Sequence, residues 1–218
     1  GFGRYALSAK EVEKRLCEFS ERAQELLVFS KHVRSVKFIV KQTAMGAPIQ
    51  RVVAEVRREQ GSFAAQQFMQ NLPRTIEQVR QSQHEPMSSV SDMHITICTP
   101  QLGQQTSHWV VAHCVQADSN LISLVESEYK GGQEAGLALL PHGAAALQLD
   151  APADYLGHLC CFMPLAGLHV GPPCLLHACF SLGEDRKSIH VSDERSKPPG
   201  HRWNHALLHG PVASCLTL

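Results

Sequence analysis

The sequence predicts an α+β domain in which helices pack on a mixed, mostly antiparallel sheet. Near the N-terminus, Ser8 and Glu11 form a capping box, and apolar residues follow at spacings of three and four up to Leu26, which predicts a helix. Three segments show the period-two alternation of half-buried strands. These are residues 36–40, 93–98 and 108–115. Neighbouring strands read as hairpins, which favours antiparallel pairing and a layered α+β architecture.

The first half of the chain contains the remaining signals of this pattern. Residues 51–59 are predicted to be the partner of the first strand, across a turn. A helix is predicted from 62 to 72 and is expected to end at Pro73. A weaker helical segment is predicted to continue to Arg80. The polar, proline-containing stretch 82–92 is predicted to be a loop and marks a possible subdivision of the domain. Residues 99–107 are predicted to be a long hairpin connection.

The second half is predicted to be rich in buried strands. A short helix at 121–130 is followed by one or two strands within 135–150, and two core strands at about 158–165 and 174–182 come next. The apolar run that contains these core strands is long enough to span a bilayer, but prolines and glycines interrupt it repeatedly. We therefore predict strands and a turn there. A final helix begins at Trp203.

Composition limits the class of protein. The 218 residues are 44% apolar, which is enough for a substantial core, and we expect a linker at 1–7 and a single domain over 8–218. Twenty basic and twenty acidic side chains give zero net charge, so no global field attracts nucleic acid or a membrane surface. The eight cysteines lie in apolar runs without a C-x-x-C pair, which indicates free thiols and a cytoplasmic location. Since no Met opens the chain, we expect a segment of a longer protein.

Three histidines near the C-terminus form the most regular candidate metal site. His201, His205 and His209 are four residues apart, a spacing that places side chains near one face of a helix and suits a zinc pair. A metalloprotease would carry Glu after the first His, and Arg202 stands there instead. His201 also lies where the helix is expected to start. We interpret the group as surface histidines and keep His205 and His209 as weak metal candidates.

The cysteine-containing strands give little indication of catalysis. Cys174, His177 and Cys179 are another possible ligand cluster, but period two places His177 and Cys179 on one strand face and Cys174 on the other, which does not favour a metal site. Cys160 and Cys161 are interpreted as packed thiols because no neighbouring cation would activate them. The sequence contains no nucleophile elbow, no phosphate-binding P-loop and no dinucleotide glycine fingerprint. The segment is therefore not expected to be an enzyme by itself.

An adjacent basic pair follows the second core strand. Arg186 offers a planar fork that binds phosphate oxygens and Lys187 adds a second positive charge, so together they are a phosphate-contact candidate. The alternative is a solvated pair balanced by Glu184 and Asp185. Composition alone favours the solvated pair.

An ordered set of segments gives the basic pair a second interpretation. From "TSHWVVAHCV" through "LALLPHGAAALQL", "GHLCCFMPLA", "GPPCLLHACFSLGEDRKSI" and "RWNHALLHGPVASCL", the chain resembles the repeat region of the sacsin family, in the part that follows its GHKL-type ATP-binding module. The resemblance covers about residues 8–218. The motif residues fall on a strand, a turn, a second strand and a helix. Their residues are Phe162, Pro164, Leu165, Gly171, Pro173, Phe180, Leu182, Trp203 and Asn204.

The resemblance implies a fold and a function. The segment is similar to the middle domain of the GHKL-type heat-shock chaperone, in which a strand-end Arg reaches the γ-phosphate of ATP bound by the preceding domain. Arg186, four residues after Leu182, is the counterpart, and Lys187 stands where a second Arg is usual. The expected partners are the upstream ATP-binding module, which would hold ATP and magnesium, and client or chaperone-system proteins. The alternative is a non-catalytic protein-interaction scaffold without ATPase function.

Overall fold

A computed structural model describes residues 8–42, 49–59, 63–82, 85–100, 103–116, 121, 124, 140–183, 188–189 and 199–218. Within these residues the predicted α+β class is confirmed, because eight strands form one mixed sheet with helices against both faces. The first half contains α1 (Ala9–Val28), β1 (Ser35–Gln42), β2 (Ile49–Arg58), α2 (Phe63–Gln70), α3 (Leu72–Gln81), β3 (Met87–Thr99) and β4 (Gly103–Val115). The second half contains β5 (His142–Gln148), β6 (Gly157–Cys161), β7 (Met163–Val170), β8 (Cys174–Ala178), α4 (Pro199–Leu207), a π-helical turn (Leu208–Val212) and α5 (Ala213–Cys215).

The strand order in the sheet is β1-β2-β3-β4-β5-β8-β6-β7. The neighbours pair antiparallel, except that β6 and β8 run parallel. The parallel pair arises because the β6–β7 hairpin lies beside β8 with β6 on the inside. Hairpins therefore build most of the sheet, as the sequence predicts.

Helix α1 covers one face of the sheet. The hydroxyl of Ser8 accepts a hydrogen bond from the backbone N–H of Glu11 at 3.2 Å, so the predicted cap is present. The last turns of α1 bury Ala23 and Leu27 in a core that includes the fully buried Trp109 of β4. Burial of this apolar stripe is the main contribution to α1 stability.

The C-terminal helical region covers the opposite face. Trp203 and Leu207 are fully buried there against residues of β5 and β8. The π-helical turn contains Pro211, and it approaches β5 so closely that only a glycine fits at position 143. A Cβ atom added to Gly143 would lie 2.6 Å from the backbone nitrogen of Val212.

Two predicted loops are strands in the structure. The loop prediction for 82–92 is wrong for residues 87–92, and the loop prediction for 99–107 is wrong for residues 103–107, because β3 and β4 form a long hairpin in which Met87 pairs with Val115 and Thr99 with Gly103. The polar residues of these segments satisfy their backbone groups by pairing with a neighbouring strand. Tertiary pairing therefore overrides the local polarity signal.

Four predicted boundaries also move. The second predicted core strand, 174–182, ends at Ala178, and the final helix, predicted to begin at Trp203, begins at Pro199. Pro73 does not close a helix but occupies the first turn of α3, where a missing N–H costs nothing. The predicted strand 158–165 is divided by Phe162, the connection between β6 and β7, whose φ of 62° is unusual for a residue with a side chain.

Within the predicted helix 121–130, the described residues Leu121 and Leu124 are helical. None of the described helices is both long and apolar enough to cross a membrane.

Candidate functional site

The predicted phosphate contacts, Arg186 and Lys187, lie outside the described residues. The structure does describe both ends of the segment that carries them. Leu182 and Ile189 form an antiparallel bridge, and the N–H of Gly183 donates to the carbonyl of Ser188 at 2.9 Å. The backbone on either side of residues 184–187 is therefore joined by direct pairing.

Two motif residues of α4 anchor the chain that leads into this segment. The indole N–H of Trp203 donates to the carbonyl of Cys179 at 2.9 Å. The side chain of Asn204 accepts a hydrogen bond from the N–H of Ser181 at 2.7 Å and donates one to its carbonyl at 2.9 Å. Both helix side chains are buried. Trp203 and Asn204 thus hold residues 179–183 by hydrogen bonds, and we call this segment the clamped strand end.

The other motif residues divide between core and surface. Phe180 and Leu165 are buried, and Leu182 packs against the same core as Phe180. Phe162 is about half exposed at the β6–β7 turn, and its N–H donates to Nδ1 of His177 at 3.2 Å. Pro164 is half-buried on β7, whereas Gly171 and Pro173 are exposed in the turn before β8. Leu165, Phe180 and Leu182 therefore contribute to the core, whereas Phe162, Gly171 and Pro173 lie at turns on the surface.

A groove of about 390 Å³ runs between α1 and the β6–β7 hairpin. Its apolar lining combines residues of the helix with residues of β7. These are Phe19, Leu26, Met163, Pro164 and Leu165. Phe19 and Met163 are 51% and 62% exposed, so the groove presents apolar surface to solvent. Its polar groups are contributed by Arg22, Glu25, His158 and His169.

The polar part of the groove contains a buried ring nitrogen for which the described residues provide no hydrogen-bond partner. Nη2 of Arg22 lies 3.1 Å from Nε2 of His158. Because a guanidinium only donates, Nε2 accepts, and the ring proton of the neutral imidazole is on Nδ1. Nδ1 is buried and has no hydrogen-bond partner within the described part of the chain. Burial lowers the pKa of His158, and the neighbouring Arg22 and His169 add to this effect.

Glu25 is a second buried polar group of the groove. The hydroxyl of Tyr155 donates to its carboxyl oxygen at 3.4 Å. Burial raises the pKa of Glu25, and the attraction of Arg22 offsets only part of this effect. The groove therefore combines an apolar lining with the guanidinium of Arg22 and the buried polar groups of Glu25 and His158. Its exposed apolar lining suits an extended apolar chain.

Three other histidines lie inside the domain. Nδ1 of His113 is 3.2 Å from Nε2 of His142, and the ring of His177 lies 5.9 Å from that of His142. His177 stacks on Phe29 and His113 on Phe68. Burial lowers the pKa of His113 to about 3 and that of His177 to about 4, and it lowers the pKa of His142 well below its ordinary value. These rings are neutral packing elements near pH 7.

The metal candidates have no complete ligand set. His205 and His209 are exposed, with ring centroids 4.1 Å apart, and His209 lies in the π-helical turn. His201 also lies within the helix, and its ring centroid is 6.1 Å from that of His205. Across the residues that the structure describes, no group of three or more His, Cys, Asp or Glu side chains could hold a metal ion.

Seven of the cysteines are free thiols, namely Cys98, Cys114, Cys160, Cys161, Cys174, Cys179 and Cys215. Cys174 and His177 face opposite sides of β8, as the strand period predicts, because Cys174 packs with the C-terminal helices and His177 with Phe29 of the α1 side. Burial raises the pKa of both Cys160 and Cys161, so these two thiols are protonated at neutral pH.

Sequence reasoning did not find the groove. Arg22 and His158 are separated by 136 positions in the chain, and no local pattern connects them.

Comparisons with protein-family models, with curated proteins and with solved structures found no match to the chain.

Proposed function

We propose that the chain is a segment of a sacsin-like chaperone: a cytoplasmic domain, similar to the middle domain of GHKL-type chaperones, that docks on an upstream ATP-binding module and supports protein folding or quality control. The observation that supports this proposal is the clamped strand end. Trp203 and Asn204, two residues of the resemblance, hold the backbone that leads to Arg186.

The physical reason is preorganisation. Negative charge spreads over the phosphoryl oxygens during transfer, and a guanidinium supplied by a neighbouring domain stabilises it most when it needs little reorganisation. Arg186 follows Ser181 by five residues and lies between the paired ends Leu182 and Ile189. The upstream module would provide the ATP and magnesium sites. The segment alone would not hydrolyse ATP.

The test uses the protein in which this segment is joined to its upstream module. Arg186→Ala should lower ATP turnover by roughly a hundredfold, the loss typical of removing one preorganised electrostatic donor. Lys187→Ala is the matched control and should leave turnover within about twofold, because a solvated cation contributes little. Unchanged turnover in Arg186→Ala, with the fold intact by circular dichroism, would remove the phosphate role.

The second candidate function is a non-catalytic interaction module, and the groove favours it. Exposed Phe19 and Met163 offer an apolar surface to an extended client segment. Binding of a fluorescent apolar peptide, followed by anisotropy, tests this function. Met163→Glu should abolish binding. Met87→Glu, at an exposed position on β3 outside the groove lining, should not.

A further inference from the structure

A second cavity lies where α1 ends, next to β2, β3 and α2. It has a volume of about 70 Å³. Three cationic side chains line it: Lys31 and Arg34, which are exposed, and Arg58, which is half-buried. Neutral polar groups complete the lining, namely Ser30, Gln70, Ser91 and the buried His113. The site is separate from the groove and shares no lining residue with it.

Among the described residues, no carboxylate lines this cavity or forms an ion pair with its cations. No Asp or Glu is among its described lining residues. Within the described part of the chain, the carboxylates that form ion pairs do so with Arg15, Lys37 and His108, and not with these three cations. Cations that converge on a concave surface without an acidic partner produce a positive potential that attracts anions.

Arg58 is held in place by the end of α1. Its Nη1 donates to the carbonyl of Leu27 at 2.9 Å and to that of Ser30 at 2.6 Å. The carbonyl of Leu27 also accepts from the backbone N–H of Ser30 at 3.4 Å, so Arg58 adds a second donor at the end of the helix, and its two bonds fix the guanidinium at the cavity. Burial lowers the pKa of Arg58, and the positive charge of Arg34 lowers it further. Two guanidinium groups therefore repel each other here, and a bound anion would remove this repulsion.

We propose that this cavity binds a phosphate group. A water needs about 10–15 Å³ of such volume, so the cavity holds a few waters or one tetrahedral oxyanion but not a nucleotide base. Arginine forks and a lysine are the side chains that bind phosphate oxygens with charge-assisted hydrogen bonds. The proposal is independent of Arg186 and of the proposed chaperone function, because it depends only on residues that the structure describes.

The test is titration of the 218-residue chain with inorganic phosphate at constant ionic strength, followed by calorimetry. We expect saturable binding that chloride does not reproduce. Arg34→Gln should weaken binding about tenfold, since it removes a hydrogen bond between charged groups, and Lys31→Gln should weaken it as well. Neither side chain makes the helix-capping contacts of Arg58, so both variants should fold.

Arg57→Gln is the matched control. Arg57 precedes Arg58 on β2, is exposed and does not line the cavity. Arg57→Gln therefore removes one positive charge, as Arg34→Gln does, but at a position outside the cavity. Its affinity for phosphate should equal that of the unaltered chain. Absence of saturable phosphate binding would overturn the proposal, and so would equal weakening in Arg34→Gln and Arg57→Gln. A parallel titration with phosphoserine distinguishes a phosphate monoester from the free ion as the bound species.

Discussion

Asn204 binds both backbone polar groups of Ser181, accepting from its N–H at 2.7 Å and donating to its carbonyl at 2.9 Å. Strand β8 ends at Ala178, so the backbone after it has left the sheet. The carboxamide of Asn204 thus takes the place of a neighbouring strand. A carboxamide carries a donor and an acceptor side by side on one planar group, as this double contact requires.

Asn204→Ala should destabilise the domain by about 2–4 kcal/mol, because it removes two hydrogen bonds and leaves partly buried backbone groups unsatisfied. Urea unfolding followed by tryptophan fluorescence measures the effect. His209→Ala is the control: His209 is exposed on the same C-terminal helical segment, and its removal should change the free energy of unfolding by less than about 0.5 kcal/mol. Equal stability of Asn204→Ala and the unaltered chain would show that the clamp contributes nothing.

Gly143→Ala should destabilise the domain by about 1–3 kcal/mol, since the new methyl group meets backbone rather than a side chain that can move. The nearest atoms would be the nitrogen of Val212 at 2.6 Å and the carbonyl carbon of Pro211 at 2.7 Å. The same measurement on Gly171→Ala provides the comparison. A Cβ at Gly171 would meet no atom within 4 Å, so that variant should be neutral or slightly stabilised. Similar values for both variants would contradict the close packing of β5 on the π-helical turn.

The buried histidines predict loss of stability in acid. The pKa of His113 falls from 6.5 to about 3 on folding and that of His177 to about 4, so the unfolded chain binds more protons between these values and 6.5. Stability is therefore complete above pH 6.5 and falls as the pH decreases toward 3, by up to ~1.4 kcal/mol per pH unit for each ring. Urea unfolding at pH 7.5, 6, 5 and 4.5 tests the sign. Stability that rises as the pH falls below 6.5 would refute the prediction.

Glu25→Gln should stabilise the domain at neutral pH. The raised pKa of Glu25 means that ionisation of the carboxyl opposes folding above its unfolded pKa of about 4.5. Glutamine keeps an oxygen that accepts from Tyr155 and carries no charge. The gain should be small near pH 4, grow as the pH rises through the raised pKa and then level off. Denaturation curves of both proteins across this pH range measure it. A loss of stability at pH 7 would show that the attraction between Arg22 and Glu25 outweighs the burial cost.

Local signals predicted those parts of the fold that local physics governs. The helix after Ser8 is correct because its cap and apolar spacing lie within one segment. Residues 87–92 were predicted to be a loop because their polarity is local, whereas the pairing of Met87 with Val115 that makes them a strand is not. Phe162 reads as a strand residue, and its left-handed backbone follows from the tight β6–β7 connection.

The candidate sites divide in the same way. Trp203 and Asn204 were selected from the sequence, but their hydrogen bonds to Cys179 and Ser181 appear only in the folded chain. The groove and the cationic cavity gave no sequence signal, because their lining residues come from segments far apart in the chain.

The amino-acid sequence alone predicts the α+β class, the capped first helix and the hairpin character of the sheet, since capping and apolar periodicity act within a few residues. The extent of β3 and β4, the burial of particular histidines and the contact between Arg22 and His158 are seen only in the folded chain. The physical reason is that strand pairing and desolvation depend on contacts between distant segments, and those contacts exist only after the chain has packed.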